Sequence, residues 1–120
     1  MDGEASHCWS YIFNDNYLCV SEFENKFIRI WDLVNKVIYK QISYDAKYGY
    51  GIIPWNNNIA IVGCQSCFVI INIAESKVVK KVTLENTSCI LFTIRKIKTS
   101  QLGECLICSD QVGNISLFSL

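Results

Sequence analysis

The chain has 120 residues, with 11 lysines and arginines against 11 aspartates and glutamates, so its formal net charge is zero. That balance argues against a strongly basic, histone-like nucleic-acid binder. Hydrophobic residues make up 51% and charged residues 18%, with one proline, the opposite of what intrinsic disorder needs.

From the N-terminus, Met1-Asp2-Gly3-Glu4-Ala5-Ser6 offers neither a basic n-region nor an apolar h-region, so no signal peptide is expected. No apolar run approaches the roughly 18 residues of a membrane helix. Cysteines stand at 8, 19, 64, 67, 89, 105 and 108, an odd number without an export signal. They are expected as free thiols in a reducing compartment, the cytoplasm, with the nucleus also open.

Helical periodicity is absent, and short runs of Ile, Val, Phe and Tyr alternate with Asn, Gly, Asp and Ser instead. A weaker strand candidate covers 8–13. Clear ones follow at Tyr17–Ser21, Phe27–Trp31 and Lys36–Ile42. A second weak candidate at Tyr50–Pro54 precedes Ile59–Gly63, Cys67–Asn72 and Lys77–Leu84. Ile90–Arg95, Cys105–Ser109 and Asn114–Phe118 close the series. β-branched and aromatic residues suit a pleated, half-buried surface, so the fold class is all-β.

The runs repeat. Phe27–Leu33 lies over Phe68–Ala74 at a shift of 41, and then over Asn114–Leu120 at a shift of 46. Leu18–Ser21 lies over Ala60–Gly63 and then Leu106–Ser109, and Asn14-Asp15-Asn16 lies over Asn56-Asn57-Asn58. A period of about 40–45 residues with four strands per unit predicts antiparallel β-propeller blades. Blades are expected near 8–42, 49–84 and 89–120, the last without its outer strand. Closed propellers use about 4–8 blades. Three are therefore expected to form part of a larger ring, completed by further chain or by a second subunit. An isolated arc is expected to self-associate or to be unstable through its open edges.

The segment Ser21 to Leu33, ending Ile28-Arg29-Ile30-Trp31-Asp32-Leu33, resembles the signature end of a WD repeat. Ser109 to Phe118 resembles it again with Phe118 in the Trp place, and the middle unit carries Asn72-Ile73 for Trp-Asp. The resemblance covers about Cys8 to Leu120. It implies a non-catalytic scaffold that holds other proteins through its blade-connecting loops. It also implies structural roles for Ser21, Trp31 and Asp32 in the first unit, and for Ser109 and Asp110 in the third.

The connection from Ser43 to Gly51 carries Tyr44, Tyr48 and Tyr50 among charges and glycines, a composition found at interfaces. Packing between blades is the other reading of those tyrosines. Phe23, at a hairpin tip, belongs to the same end. Phe23, Tyr44, Tyr48 and Tyr50 are therefore the candidate partner contacts. The competing function is nucleic-acid or anionic-surface binding through Lys77, Lys80, Lys81, Arg95, Lys96 and Lys98; lysine on an outer strand also guards against edge pairing. Two Cys-x-x-Cys pairs, Cys64–Cys67 and Cys105–Cys108, have zinc-like spacing. Cys105 and Cys108 fall within one strand, where residues three apart point to opposite faces, so no metal is expected. The lone His7, the pair Glu22 and Glu24, and Gly49-Tyr50-Gly51 make no catalytic or phosphate-binding set, so neither enzyme activity nor a cofactor is expected. The expected core is Ile12, Phe13, Leu18, Val20, Ile28, Ile30, Ile61, Val69, Ile71, Leu106, Ile115 and Leu117.

Overall fold

The computed structural model describes residues 8–22, 25–46, 51–84, 91–110 and 113–119. Its described residues form eleven strands in three antiparallel meanders. The first sheet is β1 (Cys8–Phe13), β2 (Tyr17–Glu22), β3 (Phe27–Asp32) and β4 (Val37–Ser43). The second is β5 (Ile52–Pro54), β6 (Ile59–Gly63), β7 (Cys67–Asn72) and β8 (Lys77–Thr83). The third is β9 (Leu91–Thr99), β10 (Gly103–Asp110) and β11 (Ile115–Ser119). Within each sheet the strands pair in chain order. No helix occurs among the described residues.

Short polar turns make the meanders. Asn14 and Asp15 adopt left-handed φ of 49° and 60° between β1 and β2, a conformation that Asn and Asp tolerate better than most residues. After β3, Asp32 Oδ1 accepts the Val34 and Asn35 amides, each at 3.0 Å. After β7, Asn72 Oδ1 accepts the Glu75 amide at 2.9 Å. Both turns end on a left-handed residue, Lys36 (φ 59°) and Ser76 (φ 56°).

These turns correct the repeat. Asp32 and Asn72 do the same work 40 residues apart, as do Lys36 and Ser76. Matching irregularities fall at Ile30/Trp31 and Ile70/Ile71. Leu33 N donates to Asn16 O, and Ile73 N to Asn58 O. The shift between β3 and β7 is therefore 40, not 41, and Ile71-Asn72 takes the place of Trp31-Asp32. One residue matters because it exchanges the two faces of a strand. The first-to-third alignment holds, since Leu18 pairs with Trp31 as Leu106 pairs with Phe118.

The sheets stack face on face, with β1, β5 and β9 as neighbours. One core lies between the first and second sheets. Cys19, Ile28 and Ile30 meet Ala60, Val62, Val69 and Ile71 there. The other lies between the second and third, where Ile61 and Phe68 meet Ile94, Leu106, Cys108 and Phe118. Ile28, Ile30, Ile61, Val69, Ile71 and Leu106 are buried as expected. Phe13 packs partly buried against the first core, and Leu18 and Val20 are half-buried. Ile12, Ile115 and Leu117 are corrections, at 61%, 70% and 49% exposure. All three lie on outward faces: Ile12 beside Leu18 on the first sheet, Ile115 and Leu117 on the third. Among the described residues no further sheet covers either flank.

Candidate partner-binding surface

The outward flank of the first sheet opens into a cleft of about 270 Å3. Leu18 comes from β2, Trp31 and Asp32 from the end of β3, and Leu33 and Lys36 from the turn that follows. Ile38 pairs with Trp31 across β3 and β4 and shares its face. Leu33, Val34 and Ile38 are exposed. The wall is therefore apolar, with one carboxylate and one ammonium at its edge. Asp32 is held below the usual carboxylate range, chiefly by the Asn35 amide and side chain. It stays ionised, and its second oxygen accepts the Asn35 side-chain amide at 2.8 Å. Leu33 and Lys36 were not singled out from the sequence, and Leu18 was expected in the core. The visible signal was an apolar pair, Leu33-Val34, placed in a turn.

Trp31 lines the cleft, but Ser21 does not join it. Ser21 pairs with Ile28 on the opposite, buried face. It lies beside Tyr44, yet its hydroxyl meets no partner in hydrogen-bonding geometry among the described residues. Ser109 pairs with Ile115 on the outward face of the third sheet, and Phe118 faces inward. Asp110 shapes the turn after β10, accepting the Asn114 amide at 2.9 Å and its side chain at 3.2 Å.

Tyr44 is buried, donating its hydroxyl to the Asn25 carbonyl at 3.2 Å. Burial pushes its phenol upward, with Cys64 adding to the shift. In this arc the ring packs between sheets. Phe23, Tyr48, Tyr50, Glu24 and His7 lie outside the described residues. Glu22 is engaged by Arg29 at 3.1 Å and by the Asn25 side chain at 3.0 Å.

Three lysines tie neighbouring sheets together. Lys40 donates to the Ile73 carbonyl at 2.8 Å. Lys81 donates to Asp45 O at 2.8 Å, in the segment between β4 and β5. Lys96 donates to Trp55 O at 2.6 Å, lies over the Trp55 ring at 4.8 Å, and pairs with Glu104 at 3.2 Å. Lys77 pairs with Glu75 at 3.3 Å. Lys77, Lys81 and Lys96 of the basic cluster thus already have partners within the chain.

The Cys64–Cys67 pair flanks a two-residue turn whose Ser66 is left-handed (φ 66°), and the Cys64 amide donates to the Cys67 carbonyl at 2.9 Å. Both thiols are buried and unlinked. The contact with Cys64 lowers the Cys67 thiol to about 7 and raises its partner. The Cys64 sulfur is also 3.7 Å from the Val62 carbonyl. Cys108 faces the second sheet, and Cys105 is on the opposite face of β10. Among the described residues no group of three His, Cys, Asp or Glu gathers into a metal-ligating cluster. No helix there is long and apolar enough to cross a membrane.

No family model matches the chain, and no curated protein matches it. A solved structure, Chaetomium thermophilum Raptor, superposes with a TM-score of 0.75 at 14% identity. The match covers 92% of this chain. The three sheets are β-propeller blades. The chain spans 11% of the Raptor chain's length, and at this identity the likeness concerns the fold. Among the described residues the blades do not close into a ring, and blade 1 and blade 3 each present one flank.

Proposed function

We propose that the chain is a non-catalytic protein-interaction scaffold of the WD-repeat type, holding other proteins through the loops that connect its blade strands. Residues 1–120 form part of a WD-repeat-like propeller in this reading, with blades near 8–42, 49–84 and 89–120. The observation that carries it is the apolar cleft built from Leu18, Trp31, Leu33 and Lys36, with Val34, next in sequence to Leu33, and Ile38, paired with Trp31, also exposed. Exposed apolar surface rimmed by polar groups marks interaction sites. Phe23, Tyr44, Tyr48 and Tyr50 are proposed as a second contact region, with Tyr44 as its buried support. The buried, unlinked cysteines support a reducing compartment, the cytoplasm, with the nucleus as the alternative. Carboxylates such as Glu22, Asp32 and Asp110 serve ion pairs and turns, which supports a non-catalytic role.

The rival reading, nucleic-acid or anionic-surface binding through Lys77 to Lys98, loses ground because Lys77, Lys81 and Lys96 are engaged inside the chain. Cross-linked co-purification from cells, comparing the parent with a Leu33→Asp/Val34→Asp variant, tests the proposal. Proteins captured by the parent and lost by the variant support it. Equal capture by both, or capture that collapses with a steep log–log salt slope as counterion release requires, refutes it.

A further inference from the structure

The β6–β7 hairpin turns through Cys64-Gln65-Ser66-Cys67. Ser66 is left-handed (φ 66°), and the Cys64 amide donates to the Cys67 carbonyl at 2.9 Å, which sets the two cysteines opposite each other. Their sulfurs are in mutual hydrogen-bond contact. A disulfide needs its two Cβ vectors to converge, and this turn brings them together. Cys105 and Cys108 have the same spacing but lie inside β10, with Cys108 facing the second sheet and Cys105 the other side. That pair cannot close without breaking its strand.

The surroundings also favour reaction at the hairpin. Lys81 extends from β8 to donate to Asp45 O at 2.8 Å, and its ammonium favours the thiolate at both cysteines. Cys67 is the more accessible of the two, at 3% exposure against 0%. It is also the one held below an ordinary thiol, chiefly by its contact with Cys64. Burial does the reverse at Cys19 and Cys108, which keep their protons at neutral pH. Reactive cysteines have this character: a lowered thiol near a cation with a second thiol in reach.

We propose that Cys64 and Cys67 are a modification site, a dithiol that a peroxide oxidises to a reversible disulfide at the tip of the β6–β7 hairpin. The Cys67 thiolate attacks one peroxide oxygen, the O–O bond breaks, and Cys67 becomes a sulfenic acid as water leaves. The Cys64 sulfur then attacks the Cys67 sulfur, and its proton leaves with the sulfenic hydroxyl as a second water. Two thiols are oxidised to one S–S bond, and one peroxide is reduced to two waters. A thiol reductant such as glutathione reverses the closure by exchange. Tyr44 lies close enough for both sulfurs to act on its phenol. Closure is therefore felt in the segment between β4 and β5, which Lys81 also ties down.

Trypsin provides the test. Cleavage after lysine and arginine gives one peptide, residues 48–77, that holds Cys64 and Cys67 and no other cysteine. Another, residues 99–120, holds only Cys105 and Cys108. The folded 120-residue chain is treated with hydrogen peroxide at neutral pH, quenched with catalase, alkylated in urea, digested and weighed. Peptide 48–77 should lose both alkyl groups and appear two hydrogens lighter. It should do so at least about tenfold faster than peptide 99–120, because attack follows the thiolate fraction. Dithiothreitol before alkylation should restore both alkyl groups. When the peroxide is added in urea the two peptides should react at similar rates, since their spacing is the same. Peptide 48–77 that stays fully alkylated, or reacts no faster than 99–120 in the folded chain, would overturn the proposal. So would sulfinic acid at Cys67 without ring closure.

Discussion

Replacing Phe68 with alanine removes the largest fully buried side chain of the arc. Its ring lies between blades 2 and 3, edge-on to Phe118 with centroids 4.9 Å apart. On its own sheet it faces Gly63, which has no side chain to close the gap. Losing a buried Phe costs about 3–5 kcal/mol through transfer and cavity terms together. Part of that is the ring pair, worth roughly 0.5–1.5 kcal/mol. A domain of this length has a total stability of about 6–18 kcal/mol at typical per-residue values. With two flanks open the arc belongs at the lower end, so Phe68→Ala should leave a large unfolded fraction in mild denaturant. Urea titration followed by tryptophan fluorescence reads this, because Trp55, one of three tryptophans, packs partly buried against the same core. Val79→Ala is the control: Val79 is 54% exposed on β8, and its loss should cost under about 0.5 kcal/mol. If Phe68→Ala costs less than about 1 kcal/mol, or no more than Val79→Ala, blade 3 does not pack on blade 2 as described.

Three further outcomes follow from particular contacts. Asn72→Asp should preserve the turn after β7, as Asp32 does after β3, whereas Ile73→Asp should cost several kcal/mol, about 3 or more, by burying a charge in the first core; thermal melts of the two variants decide this. Lys96→Ala should cost about 1 kcal/mol in urea titration, losing a part-exposed hydrogen bond and a ring contact between blades 2 and 3. Burial raises Cys19 and Cys108 from an ordinary 9.0 to about 12. In the unfolded chain these thiols ionise first, so the stability they confer is complete below about pH 9 and is lost as pH rises toward 12. Denaturant midpoints should fall across that window, and Cys19→Ser should flatten the fall.

The strands were legible because their sequence carries a physical punctuation. Asn14-Asp15 and Asn56-Asn57-Asn58 stop one run and start the next, and β-branched residues fill the intervals. The register of β7 was not legible. In Cys67–Asn72 most side chains are buried on both faces, so the strand reads as a continuous apolar run without the alternation that would mark a face. Along Phe27, Ile28 and Ile30 apolar residues fall on apolar residues at both shifts. At 41 Trp31 falls on Asn72 and Asp32 on Ile73, a local mismatch that the turn contact of Asn72 and the strand irregularity at Ile70/Ile71 resolve in favour of 40. Ile12, Ile115 and Leu117 were misplaced for a different reason. Alternation assigns a residue to a face, but local sequence does not say whether another blade covers that face. The cleft was missed because its walls come from three segments, β2, β3 and the turn after it, which only folding brings together. The tying roles of Lys40, Lys81 and Lys96 left no local signal, since each reaches a carbonyl more than thirty positions away in sequence.

Successive blades pack face to face in one register. The most direct measurement is a nuclear Overhauser spectrum of the folded chain, read at the Phe118 ring. Strong cross-peaks from Phe118 to Phe68 are expected, with none to Val69, because Phe68 faces blade 3 and Val69 faces blade 1. Cross-peaks from Phe118 to Val69, or no contact between Phe118 and β7, would contradict it.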